Sequence, residues 1–327
     1  MARKNPKNQG LKEIRRASMD ESAAVAFIER LRWAGDPACP RCGDENVYAM
    51  LDRKTGKRER NFRWRCRACA KMFSVRTGTV FEETRLPLRI WCHAFWRCCA
   101  SKKGVSALQI CRECEITPKS ALFLLHRVRH AMEIGPDAPK LSGIVEADET
   151  YVGGKSRYGA GRNPKTGKRR VGRGTRKTPV FAVVQRGGDV RLSKLDRITA
   201  PKLIPAIWEA VDRANTTVMT DELGAYNGVG RGVSGGHMTV KHSARQYVDG
   251  KNGEVYSNTV ESVFSLIKRG LIGTFHSVSK HHLPRYLSEF EFRWNTRFLD
   301  DGERTMAAIR GAEGKRLMYR PPLQAAS

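Results

Sequence analysis

Two Cys-x-x-Cys knuckles, a short helix followed by a tight turn and a longer basic helix, and a strand-rich half closing in two amphipathic helices predict a multidomain α+β protein. The expected order is an N-terminal zinc ribbon, a helix-turn-helix-like helical domain and a C-terminal α/β domain with a mixed sheet. Boundaries are expected at 1–16 for a basic arm, 17–82 for a helix plus the ribbon, 83–134 for the helical domain, 140–300 for the α/β domain and 301–327 for a C-terminal tail.

The 327 residues are enough for more than one core. The 60 Lys and Arg against 33 Asp and Glu give a formal charge of +27, well beyond what solubility needs. A polyanionic partner follows from that excess. Nucleic acid fits better than an anionic membrane, because no long apolar run or basic amphipathic anchor occurs. The first sixteen residues hold six Lys or Arg and no apolar segment of the secretory kind, so a cytoplasmic protein is expected. In that compartment the nine cysteines read as reduced thiols or metal ligands.

After the basic arm, Ser18 or Asp20 caps a helix to about Trp33, with Ala24, Phe27, Ile28 and Leu31 inward. Cys39 and Cys42 then precede Cys66 and Cys69 by 23 intervening residues, the spacing of a four-thiolate structural zinc site. A ribbon of this size needs the ion to hold its shape. Its strands are expected around Val47, Tyr48 and Met50 and around Phe62, Trp64 and Cys66. Seven Lys or Arg between the knuckles point to phosphate contact, although four acids there dilute the charge.

Leu88, Trp91, Cys92, Phe95 and Cys99 recur at helical spacing from about Pro87 to Ser101, which makes these cysteines core residues. Cys111 and Cys114 fall inside another helical pattern and read as structural too. That short helix runs from Gly104 to about Cys114; Thr117 then caps, and Pro118 opens, a helix to about Met132. Lys119, Ser120, His126, Arg127, Arg129 and His130 would form its polar face, with Lys119, Arg127 and Arg129 as DNA-binding candidates. The alternative is a helical hairpin with a purely structural role.

Past a linker at Gly135–Pro139, the strand Ile144–Val152 carries Asp148 in its middle. Burying a carboxylate costs several kcal/mol unless a metal or cation compensates, so Asp148 reads as chemical; the alternative is the wet face of an edge strand. Residues 155–178 hold ten Lys or Arg and no acid, a phosphate-seeking loop in which Lys168, Arg169, Arg170 and Arg173 are further DNA-binding candidates. A hairpin, Thr178–Arg186 and Val190–Leu195, turns at Gly187-Gly188-Asp189; a helix spans Ala200–Ala214, and a strand from Thr216 delivers Asp221. A fifth strand is expected at Thr239–His242. The next helix carries Val260, Val263, Phe264, Ile267 and Leu271 as its apolar stripe, with Glu261 and Lys268 two turns apart on one flank. The last helix is expected at Pro284–Arg297.

A three-strand meander, a helix, a strand and then helices is the order of an RNase H-like domain, in which Asp148, Asp221 and Glu261 can converge. Oxygen ligands of this kind suit Mg²⁺ or Mn²⁺, and two such ions support in-line displacement at phosphorus. Lys268 would meet a DNA phosphate.

The stretches Glu146-Ala-Asp-Glu-Thr-Tyr-Val-Gly-Gly-Lys155, Thr220-Asp-Glu-Leu-Gly-Ala-Tyr226 and Asn258-Thr-Val-Glu to His276 resemble the catalytic blocks of bacterial insertion-sequence DDE transposases with an N-terminal zinc ribbon, the ISXO2-like, IS1595-type family. The resemblance runs from the knuckles to Glu289–Asn295. It implies that Asp148, Asp221 and Glu261 form the metal-binding triad, that Lys268 contacts DNA, and that Cys39, Cys42, Cys66 and Cys69 bind zinc. Some members carry Asn or another residue at the third position; this chain has Glu261. The expectation is therefore a DNA transposase, associated with the bacterial nucleoid, that binds terminal inverted repeats, cleaves the element ends and joins their 3′-OH groups to target DNA. It would work as a homo-oligomer, a dimer or larger, when assembled on DNA. The competing reading is a zinc-ribbon DNA-binding regulator whose RNase H-like domain is not catalytic, and a nuclease without strand transfer is a third. Glu149 and Glu222 remain candidates for support. His276, His281 and His282 could contact DNA or approach the metals, or serve as capping and surface residues; His237 and His242 carry no assignment.

Overall fold

The computed structural model describes residues 9–153, 167, 177–240 and 258–318. The chain forms two compact units, one of 1–133 with 298–327 and one of 134–297. No described helix is long and apolar enough to cross a membrane.

In the first unit, α2 (Glu21–Trp33) is the helix expected to run to Trp33, and α1 (Gln9–Met19) precedes it within the residues expected as a basic arm. Asp20 separates them, accepting the Ala23 N–H at 2.7 Å as the N-cap of α2. Residues 9–16 are therefore not a flexible arm: Ile14 and Ala17 are completely buried, which anchors α1. The ribbon is a three-stranded antiparallel sheet, β1 (Val47–Ala49), β2 (Trp64–Cys66) and β3 (Met72–Phe73). It is fastened to α2 through Glu29, whose carboxylate accepts two bonds from Arg58, each 2.7 Å, and one from Trp64 Nε1 at 2.8 Å. Trp33 adds edge-on contacts to Trp64 and Phe73.

Helix α3 (Leu88–Ala100) buries Trp91, Cys92, Phe95, Cys98 and Cys99. Next, α4 (Ala107–Cys114) is capped by Ser106, and α5 (Pro118–Ala131) by Thr117, which accepts the Ser120 N–H at 3.2 Å. Cys111 and Cys114 lie on α4 and join no cluster of metal-ligand spacing among the described residues. The expected C-terminal tail contains α9 (Asp301–Arg310), started by a capping box of Asp300 and Glu303. It packs on α1, α2, α3 and α5, with Thr305 and Ala308 completely buried.

The second unit is built on β4 (Leu141–Val152), β5 (Thr178–Gln185), β6 (Val190–Lys194), β7 (Val211–Asp221) and β8 (His237–Val240). Their order is β6-β5-β4-β7-β8. The first three are antiparallel, while β7 runs parallel to β4 and β8. This mixed, meander-first sheet is the RNase H-like arrangement. Helix α6 (Ala200–Ala210) ends four residues before the expected Ala214. Beyond it the Asp212 carboxylate accepts Ala214 N–H at 3.1 Å and Asn215 Nδ2 at 2.8 Å, local bonds that compete with another helical turn.

Alternation along the strands sorts side chains to two faces. Val145, Ala147, Phe181, Val183 and Val218 share a core with Leu203 and Ile207 of α6. Val180, Ala182 and Val184 share the other with α7 (Asn258–Gly270) and α8 (Leu283–Asn295), through Val260, Val263, Phe264, Ile267, Leu287 and Phe290. Each such Val, Leu, Ile or Phe side chain contributes about 1.5–3 kcal/mol of burial. The same alternation decides which side chains meet at the site.

Candidate active site

Asp148 pairs across β4 and β5 with Ala182, a residue of the α7 face. On the other side, Glu146 pairs in parallel with Met219, and Asp148 and Asp221 each lie two residues further on, on the same face as that pair, Asp221 at the end of β7. Side chains level on neighbouring strands point to one face. Both aspartates therefore face α7, whose first turn carries Glu261. Asp148 and Asp221 are half-buried, and Glu261 is exposed.

Electrostatics tie the three together. Burial pushes the Asp148 carboxyl up to about 7; the Glu149 N–H, 2.7 Å from Oδ1, opposes the rise, and the charges of Glu149, Asp221 and Glu261 reinforce it. None of the three carboxylates forms an ion pair with a described residue. Like charges that no cationic side chain pairs with among the described residues fit hard divalent cations bound through oxygen, as Mg²⁺ or Mn²⁺ are. Three or more ligand atoms within 4.8 Å of one another occur, among the described residues, only at the four ribbon cysteines, so the three carboxylates do not all lie within that distance of one another. Lys268 lies on α7 two turns beyond Glu261 and is exposed.

Glu149 points the other way. It pairs with Phe181 of the α6 face, and its carboxylate accepts the Tyr226 hydroxyl at 2.8 Å. Glu222 is exposed beyond the end of β7. Beside Asp221, His237 Nε2 lies 2.8 Å from Thr220 Oγ1, and burial lowers the histidine's pKa toward the neutral form. His276 and His281 are exposed, while His282 is half-buried at the start of α8.

Sequence reading assigned no role to Glu146. Its side chain is completely buried, and it accepts the Thr259 N–H at 2.9 Å, the Thr259 hydroxyl at 3.0 Å and the Val260 N–H at 3.0 Å. Arg186 Nε donates to it at 2.8 Å, and another nitrogen of that guanidinium reaches Met219 Sδ at 3.0 Å. A charged residue in an otherwise apolar strand was the one available signal.

The four ribbon sulfurs fit zinc. Cys39 and Cys69 are 3.8 Å apart and Cys42 and Cys66 3.6 Å. A tetrahedron with Zn–S bonds of about 2.3 Å has edges of about 3.8 Å. Although burial resists it, backbone N–H groups of Arg41 and Cys42 bring the Cys39 thiol down to about 7, toward the ligating thiolate.

The helix-turn-helix candidates divide. Lys119 is exposed in the first turn of α5. Arg127 and Arg129 are buried, with 4% and 1% of their surface exposed, and His126 is buried beside them. Arg127 donates to the Glu82 carbonyl and lies over the Trp91 and Phe123 rings. Because α3, α4 and α9 all pack on α5, its C-terminal half has no solvent face to present these arginines to DNA. Lys168, Arg169, Arg170 and Arg173 lie outside the described residues.

Comparison with known proteins gives two family matches. The ISXO2-like transposase domain matches residues 140–295, and the transposase zinc-ribbon domain matches residues 19–72. An uncharacterized protein in transposable element ISH50 of Halobacterium salinarum is 30% identical over 280 residues, covering 84% of this chain and 91% of the relative. Among solved structures, the Mos1 strand transfer complex aligns with 62% of this chain and 69% of its own, at 15% identity and a TM-score of 0.28. A Mos1 transposase paired-end complex with the left transposon end aligns with 64% and 70%, at 14% identity and a TM-score of 0.28.

Proposed function

Because the chain belongs to the ISXO2-like transposase family, we propose that it binds the terminal inverted repeats of an insertion sequence, cleaves the element ends and joins their 3′-OH groups to target DNA. The observation that carries this reading is the placement of Asp148 and Asp221 on neighbouring strands, facing the helix that bears Glu261, with Asp148 pushed up to about 7. These three residues hold Mg²⁺ or Mn²⁺, and such ions, when bound, activate the attacking oxygen and stabilise the leaving one at a scissile phosphate.

The remaining residues bind and orient DNA. Lys268 meets a phosphate next to the scissile one. Lys119, at the start of α5, meets the end sequence together with the zinc-loaded ribbon of Cys39, Cys42, Cys66 and Cys69. Lys168, Arg169, Arg170 and Arg173 add salt-sensitive attraction to phosphates. The protein acts in the cytoplasm, on the nucleoid, as a dimer or larger assembly on DNA.

The test incubates the full chain with a duplex carrying the element's ends, a target duplex and Mg²⁺. Joined products that disappear on omitting the divalent ion are the expected result. Cleavage without joining would make the protein a nuclease, and end binding without cleavage would make it a regulator.

A further inference from the structure

We propose that Glu146 is a positioning residue that fixes the start of α7, and with it Glu261, to the strand carrying Asp148. The inference rests on the reading of Asp148, Asp221 and Glu261 as ligands of a divalent ion. Helices α2, α4, α5 and α9 are capped by the residue just before them, Asp20, Ser106, Thr117 and Asp300. A local cap fixes a helix only to its own chain. The first turn of α7 is held by a carboxylate from β4, two residues before Asp148, through the N–H groups of Thr259 and Val260, the latter next to Glu261. Helix α3 has a distant cap too, Glu21 of α2 on the Leu88 and Arg89 N–H groups, and there it joins helix to helix. At α7 it joins helix to catalytic strand.

The arrangement suits a carboxylate in particular. A completely buried charge is destabilising unless it is fully bonded. Glu146 meets that condition with the positive end of a helix, one hydroxyl and the Arg186 guanidinium. Arg186 extends the clamp to β7 through Met219, the residue paired with Glu146. The two strands that carry the aspartates and the helix that carries the glutamate therefore meet at one buried side chain.

The experiment uses the full chain with its zinc in place and Mn²⁺ as the probe. Mn²⁺ binding is measured by calorimetry without DNA, amide exchange reports on Thr259 and Val260, and end cleavage is followed against Mn²⁺ concentration. For Glu146→Gln, the Mn²⁺ dissociation constant is expected to rise about tenfold, exchange at the two amides to quicken, and affinity for DNA ends to stay unchanged. Thr259→Val deletes one contact without leaving a buried charge unpaired, and a rise of about threefold is expected. Wild-type Mn²⁺ affinity in both variants overturns the proposal. So does a parallel loss of helicity and end binding in both, which would make Glu146 a general fold residue. If Asp148→Asn binds Mn²⁺ as the wild type does, the metal-site reading itself falls. If that variant loses the ion while Glu146→Gln keeps it, only the positioning role falls.

Discussion

Asp148 and Asp221, far apart in the chain, each lie two residues beyond Glu146 and Met219, which pair across adjacent parallel strands, with their side chains on the face that α7 covers. The pairing of these strands through Glu146 and Met219 brings both acids to one end of the sheet before any ion arrives, and the Asp221 charge helps to raise the Asp148 carboxyl. The sheet thus supplies the repulsion that makes cation binding favourable.

Replacing Asp148 with Asn removes a ligand charge while keeping its shape. Metal stabilisation of a phosphoryl-transfer transition state is worth several kcal/mol. At 1.36 kcal/mol per decade, cleavage and joining should fall by about 10³-fold or more. A gel shift with end DNA should show binding close to wild type, because the ribbon and α5 are untouched.

The same substitution should stabilise the chain when no Mg²⁺ or Mn²⁺ is present. Burial, with the neighbouring carboxylates, holds the folded Asp148 pKa near 7, above its ordinary 3.8. The folded state therefore keeps this proton where the unfolded state has lost it, and stability falls as pH rises between those values. Each pKa unit is worth about 1.36 kcal/mol. Solvent screening at a half-buried site lowers the total to about 1–3 kcal/mol. Thermal melts of the zinc-loaded protein should show Asp148→Asn melting higher than wild type at pH 8, with the gap closing at pH 4 and on adding Mg²⁺ at pH 8.

Zinc removal should unfold the ribbon while sparing the sheet of the second unit. Cys66→Ser removes one thiolate of the cluster and opens the contacts of Trp33 with Trp64 and Phe73. Tryptophan emission should shift to the red, and recognition of end DNA should weaken to nonspecific, salt-sensitive binding. Wild-type emission and bound zinc in the Cys66→Ser protein would contradict this assignment.

Lys119 and Arg129 share a helix but should respond oppositely to alanine. Lys119→Ala should leave stability within about 0.5 kcal/mol and lower the slope of log affinity against log salt by about 1. Arg129→Ala, in a buried position, should destabilise the first unit by about 1–3 kcal/mol in urea melts without lowering that slope. Both readouts can be collected on one preparation of each variant.

Much of this protein can be read without coordinates. The knuckle spacing carries the zinc site, and Thr117 followed by Pro118 marks the start of α5, because ligand geometry and helix capping act over a few residues. The alternating strands and the places of Asp148, Asp221 and Glu261 within their elements are likewise local properties. Helix α9 escaped notice because its periodic residues gain burial only when the chain returns to α1 and α3. Arg127 and Arg129 look like a polar face until neighbouring helices close over them. Only tertiary packing separates Glu149, bonded to Tyr226 on the far face, from Asp148, and only packing brings Glu146 to the start of α7. Spacing and periodicity belong to the chain itself, whereas burial and cross-strand register depend on residues a hundred positions away, and those exist as neighbours only once the sheet has formed.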